Sequence, residues 1–194
     1  MLDCVRNKPL PQTGVVVYHS KTIGIVAIDR NTVPTSVADV MLSFAAYQAQ
    51  IHGQVIFLHP VHNYALVAYD SVALGPSGVA VIHATVLLPE HALLKGDVVH
   101  LVGLRKSLQL SSHKCIVTSP QVSLNIAATD IPRYRAMNMD IIELEGHFGN
   151  FFAGVLVDDQ GRLRALWAGF YSPDRYNNPV VSGIPIYVVS HVGI

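Results

Sequence analysis

Apolar and β-branched residues occur in short runs separated by polar turns. Residues 14–18, 22–28, 53–58, 64–69, 98–104 and 115–118 each have the length and composition of a strand. Residues 140–144, 153–157, 163–170 and 184–189 continue the series. Turn clusters stand between them: Asp29-Arg30-Asn31, Gly75-Pro76-Ser77-Gly78, Lys95-Gly96-Asp97, Asp158-Asp159-Gln160-Gly161 and Ser172-Pro173-Asp174. Helical periodicity is weak. Residues 37–49 and 187–192 are the fair helix candidates, and the first reads equally as a pair of strands. The pattern predicts an all-β fold, a sandwich or a pair of barrels. Residues 71–94, rich in Ala, Gly and Pro, form the natural connection between two β halves.

Composition narrows the function classes. The chain has 194 residues, of which 51% are hydrophobic and 13% charged, against about 25% charged in an ordinary soluble domain. That excludes intrinsic disorder, which needs low hydrophobicity and high charge. The 13 basic and 13 acidic residues cancel, so no basic footprint for nucleic acid is expected. The longest apolar stretch, residues 79–88, is interrupted by His83 and Thr85 and is shorter than the ~20 residues of a spanning helix. No transmembrane segment is expected. Two cysteines, Cys4 and Cys115, make no disulfide framework and fit reduced thiols in an intracellular compartment. The start, Met1-Leu2-Asp3, lacks the basic region of a signal peptide and reads as a cut from a longer protein.

Candidate chemistry is sparse when taken residue by residue. His59 and His62 have a spacing found in some metal sites, but zinc needs three or four convergent ligands and no third is in view. They read as surface or hydrogen-bonded histidines, and neither a metal nor a cofactor is expected. Ser77 lies between glycines but no strand leads into it, so an interdomain turn is the simpler reading. Gly146-His147-Phe148-Gly149-Asn150 lacks the lysine and following helix of a phosphate loop. Asp29, Asp70, Asp130, Asp140 and Glu143 are scattered acids from which sequence selects no acid–base pair.

Three phrases taken in order are more informative. The first is Ile28-Asp29-Arg30-Asn31-Thr32-Val33, and the second is His62-Asn63-Tyr64-Ala65-Leu66-Val67. The third is Phe148-Gly149-Asn150-Phe151-Phe152-Ala153-Gly154-Val155, leading into Asp159-Gln160-Gly161-Arg162. Their layout resembles the chymotrypsin-like serine proteases of the Deg/HtrA family, over residues 14 to 191. Longer phrases, among them Phe57-Leu58-His59-Pro60-Val61-His62-Asn63 and Pro132-Arg133-Tyr134-Arg135-Ala136-Met137-Asn138, are similar to the second protease domain of the tandem plant members and, more distantly, of fungal ones.

The resemblance implies two six-stranded antiparallel β-barrels with a short C-terminal helix or strand. Residues 1–13 would be an N-terminal extension, 14–94 the first barrel with its connection, and 95–194 the second barrel with a C-terminal segment. It also places the catalytic His position at Asn31, the Asp position at Asn63 and the Ser position at Phe152, or Phe151 if the loop slips by one. An asparagine amide does not shuttle protons, and replacing the Asp by Asn alone costs about 10⁴ in the chymotrypsin case. The expected function is therefore a proteolytically inactive domain of a larger Deg/HtrA-type protease, serving as an oligomerisation scaffold. Its partners would be other copies, with a trimer as the family's habit, and other domains of the parent chain.

Two alternatives belong to other classes: a peptide-binding module using the vestigial cleft, or residual hydrolysis through Ser77 or Cys115. Phe148, Phe151 and Phe152 either fill that cleft or face a partner. The plant-like phrases imply a chloroplast, on the stromal side of the thylakoid, whereas a fungal-like member would be nuclear.

Overall fold

Eleven strands and one short α-helix form among the residues that the computed structural model describes: 13–30, 33, 39–44, 47–87, 91–105, 109–126, 137–146, 148, 151–170 and 180–185. The first half contains β1 (Val15–His19), β2 (Ile23–Asp29), β3 (Asp39–Phe44), β4 (Tyr47–Leu58) and β5 (Tyr64–Asp70). A 3-10 turn, Ser71–Leu74, then runs into α1 (Gly75–Val81). The second half contains β6 (Val98–Arg105), β7 (Leu110–Ile126), β8 (Met137–Leu144), β9 (Phe151–Val157), β10 (Leu163–Phe170) and β11 (Val180–Pro185). β1–β5 make an antiparallel sheet in the order β1-β2-β5-β4-β3, and β6–β11 close a six-stranded barrel in the order β10-β11-β8-β7-β6-β9. The fold is all-β, as expected, with a closed barrel in its second half.

Several expectations change in detail. Among the described residues the first half is a five-stranded sheet rather than a closed six-stranded barrel; residues 31, 32 and 34–38 lie outside the description. The helix candidate at 37–49 falls on β3 and β4. Along β4, Gln48, Gln50, His52 and Gln54 are exposed while Ile51 and Val55 are buried, which is the two-residue period of a strand. Gly75-Pro76 opens a helix instead of a plain turn, because proline in the first helical turn removes an N–H that has no intrahelical partner anyway. The strand expected at 115–118 is the middle of β7, which extends from Leu110 to Ile126 and passes Pro120 at a break in its register with β8. The last strand expected, at 184–189, is described at Val180–Pro185; the expected C-terminal helix or strand lies beyond the described residues.

The continuous apolar character of β2 and β5 has its cause in the packing. Alternate residues of β5 enter two different cores. Tyr64 and Leu66 join Val17 and Ala27 against Met139, Ile141, Leu163, Leu166, Ala168 and Ile184 of the barrel. Ala65, Val67 and Tyr69 point the other way, to Val26, Ile28, Ile51, Val55, Leu74 and Ile82. A strand buried on both faces has no polar face to alternate. Each fully buried Leu or Val of this kind stabilises the fold by about 1.5–3 kcal/mol. The barrel fills its own interior with Val99, Leu101, Cys115, Val117, Ile142, Leu144, Phe151, Leu156 and Trp167. At Gly154 a Cβ would stand 2.5 Å from the Val102 carbonyl oxygen, so β9 meets β6 closely only because this residue is glycine.

Candidate functional site

The β2–β5 ladder determines what can meet at the edge of the first sheet. Its last pair is Asp29 opposite Tyr64, and one step beyond it the Arg30 N–H donates to the Asn63 carbonyl at 3.3 Å. Asn31 is the next residue after Arg30 in the chain and lies outside the described residues. Asn63 is 1% exposed, at the end of the turn 59–63 that leads into β5. The topology therefore brings the segment ending at Arg30 beside Asn63, one of the three positions singled out in the sequence.

The turn is built around His59. Its Nδ1 accepts hydrogen bonds from the N–H groups of Val61 at 3.1 Å and His62 at 2.8 Å. Its N–H donates to the Tyr64 carbonyl at 3.1 Å, and the Arg30 guanidinium donates to its carbonyl oxygen. Burial, then the charges of His62 and Arg30, pull His59 below its ordinary pKa. Burial also lowers His62, against the opposing pull of Asp140.

The third position lies at the head of β9. Phe151 is 4% exposed and Phe148 is partly buried. Phe148 meets Trp167 edge to face at 6.2 Å between ring centroids, and Phe151 meets His113 the same way at 5.5 Å. Arg105 donates to Nε2 of His113 at 2.6 Å. The rings of Phe148 and Phe151 thus pack within the chain. The backbone of Phe152 lies on β9, and its side chain is outside the description, as are His147, Gly149 and Asn150. The Phe151 N–H donates to the Phe148 carbonyl at 3.0 Å, which closes a tight turn at the head of the strand. Between Gly146 and Val157 the sequence contains no Ser, Thr or Cys.

The remaining candidates are placed apart. Ser77 is exposed in the first turn of α1. Cys115 is 3% exposed, its thiol donates to the His113 carbonyl at 3.3 Å, and burial pushes its pKa up, all of which disfavour a thiolate. Cys4 and Asp130 lie outside the described residues. Asp70 caps the 3-10 turn through the Val72 N–H, Asp140 accepts from Gln121, and Glu143 is exposed on β8. Among the described residues no three His, Cys, Asp or Glu side chains converge as metal ligands. A cavity of about 350 Å³ lies between the Leu93–Val98 and Asp158–Arg164 segments and contains none of the singled-out positions.

One surface feature is not legible from motifs. From Ser71 to Pro89 the sequence has no Asp, Glu, Lys or Arg, and the described part of this segment is tied along β1. Ser71 N–H donates to the Thr22 carbonyl at 3.2 Å, and Thr85 N–H to the Val16 carbonyl at 2.8 Å. His19 Nε2 donates to the Val79 carbonyl at 3.2 Å, which leaves its Nδ1 to accept from the Tyr69 hydroxyl at 2.8 Å. The strap exposes Val72 at 61%, Val81 at 48% and Val86 at 62%. Uncharged and apolar, it differs from a typical solvated connection.

Comparison with known proteins places these features in a context. No family profile matches the chain. It is 50% identical over 197 residues to Protease Do-like 7 of Arabidopsis thaliana, a match that covers 98% of this chain and 18% of that protein. It is 35% identical over 170 residues to the pro-apoptotic serine protease NMA111 of Eremothecium gossypii, covering 87% of this chain and 16% of that one. The chain thus spans less than a fifth of the length of these relatives. Among solved structures it is similar to the MamO protease domain of Magnetospirillum magneticum, with a TM-score of 0.64 at 16% identity over 92% of this chain and 86% of that one. The HtrA-type protease AlgW, solved with a decapeptide, gives a TM-score of 0.59 at 15% identity over 91% of this chain and 49% of that one. At such identities the structural likeness speaks for the fold.

Proposed function

Because the chain belongs to the Deg/HtrA family of chymotrypsin-like proteases, we propose that it is a protease-like module without protease chemistry, acting by association within a longer protein. The carrying observation is the head of β9, where the sequence from Gly146 to Val157 has no Ser, Thr or Cys to attack a peptide carbonyl. Asn63, buried beside the chain that leads to Asn31, supports the same reading: a neutral amide lacks the anion that holds an imidazole tautomer and stabilises the imidazolium.

The association half draws on the strap. A patch free of formal charge does not repel a copy of itself, and the chain as a whole has a formal net charge of zero. Interface cores are depleted in charged residues, as this strap is. We therefore place self-association at the Ser71–Val86 strap rather than at the Phe148–Phe151 loop, whose described rings pack inward. The assembly is a homo-oligomer, for which a trimer is the family's habit, linked to further domains of the parent chain. Greater identity to the plant relative than to the fungal one favours the chloroplast over the nucleus.

Light scattering tests this. The chain at micromolar concentration is expected to give a mass that is a multiple of 21.1 kDa, and Val81→Lys combined with Val86→Lys is expected to return it to one chain. A mass of 21.1 kDa at every concentration would exclude assembly by this domain alone. An oligomer unaffected by the two lysines would move the contact elsewhere.

A further inference from the structure

The turn that presents Asn63 is closed by a titratable acceptor. A ring nitrogen that accepts two N–H bonds has no proton, so neutral His59 is the tautomer protonated at Nε2. A second proton has only Nδ1 to go to. There it faces the N–H groups of Val61 and His62, and three donors meet with no acceptor among them.

The surroundings give the imidazolium little relief. His59 lies 4.9 Å from the Tyr64 ring of β5, 5.8 Å from Phe57 of β4 and 4.7 Å from His62 between centroids. Arg30, at the end of β2, donates to its carbonyl. Asp29 is buried on β2 opposite Tyr64. Asp140, from β8 in the barrel, acts on His62 and is itself held by Gln121 at 2.8 Å. His62 Nδ1 is buried and has no partner among the described residues.

We propose that the turn 59–63 is an acid-released latch: protonation of His59 at Nδ1 withdraws the acceptor from two backbone amides and frees the segment bearing His62 and Asn63. The proposal does not depend on the assembly or the inactivity proposed above. Because burial and neighbouring positive charge hold His59 below its ordinary value of 6.5, the unfolded or opened turn binds the proton more readily. The closed form therefore keeps its full contribution above about 6.5 and loses it as pH falls through the depressed value.

Two measurements on the 194-residue chain test the latch. Imidazole ¹⁵N shifts at about pH 7.5 are expected to show His59 with Nδ1 bare and Nε2 protonated. Amide hydrogen exchange at Val61 and His62, corrected for intrinsic rate, is expected to lose about fivefold or more of its protection between about pH 7.5 and about pH 5. His59→Asn, whose side-chain oxygen can cap the same N–H groups without titrating, is expected to lose none. A His59 ring protonated at Nδ1 near pH 7.5, unchanged protection near pH 5, or an equal loss in His59→Asn each overturns the proposal. The first two outcomes need no variant, so they decide even where His59→Asn fails to fold.

Discussion

Arg30 and Asn63 are joined main chain to main chain, the N–H of one donating to the carbonyl of the other at 3.3 Å. The contact extends the β2–β5 ladder one step past its last pair, Asp29 with Tyr64. The resemblance puts the base and its orienting acid at this junction, and by the reading proposed above the sequence has Asn31 and Asn63 there instead.

Restoring side chains at the three positions is expected to leave proteolysis weak. The Asn31→His, Asn63→Asp, Phe152→Ser variant regains the groups but not a glycine-rich loop to shape the oxyanion amides, since Phe148, Asn150, Phe151 and Ala153 stand in it. Loss of a single oxyanion donor costs about 10²–10³ in rate. Hydrolysis of an unfolded protein substrate by the triple variant should remain at least that far below an active HtrA domain. Robust cleavage would mean that the cleft is preorganised after all.

Phe151 should matter for stability rather than for assembly. It is 4% exposed and packs with Trp167 and Leu156 in the barrel core. Phe151→Ala is expected to cost about 3–5 kcal/mol in denaturant unfolding. The mass of the folded variant by light scattering should match the unaltered chain; a stable but dissociated Phe151→Ala would put the ring in a subunit contact instead.

Acid sensitivity has a second source besides His59. Burial alone would raise Asp158, but the Arg162 N–H and side chain, the Gln160 N–H and the Arg162 charge together outweigh it and hold the carboxyl below its ordinary 3.8. A depressed carboxylate contributes above about 3.8 and ceases to as pH falls through its folded value. Asp158→Asn is expected to lose about 1 kcal/mol near neutral pH, and the gap to the unaltered chain should close in urea titrations below about pH 3.8. A gap that stays constant with pH would assign the loss to packing.

How much was legible in the sequence differs from element to element. β2, β5, β6, β9 and β10 stood out because each is an apolar run bounded by turn residues. β7 was seen only at its apolar centre, since Ser111, Ser112, His113 and Lys114 precede that centre and Pro120 interrupts the strand soon after it. α1 was hidden because Gly-Pro-Ser-Gly has the composition of a turn, and only its docking through Leu74, Gly78 and Ile82 makes it a helix. The family resemblance was readable because its phrases stand in order at the ends of strands. The His59 cap and the strap were not, because both depend on backbone partners. Sequence does not show that a ring nitrogen closes its own turn, or that an uncharged segment lies along a sheet edge with valines outward.

The proposal that this protease fold lacks protease chemistry is tested most directly by an active-site probe. The chain and an active HtrA protease domain, each folded and at equal concentration, would be incubated with a broad fluorophosphonate and an unfolded protein substrate. The expected result is labelling and cleavage by the active domain, with neither from this chain. Stoichiometric labelling of this chain, mapped to a serine and accompanied by cleavage, would contradict the reading and identify the nucleophile it lacks by this account.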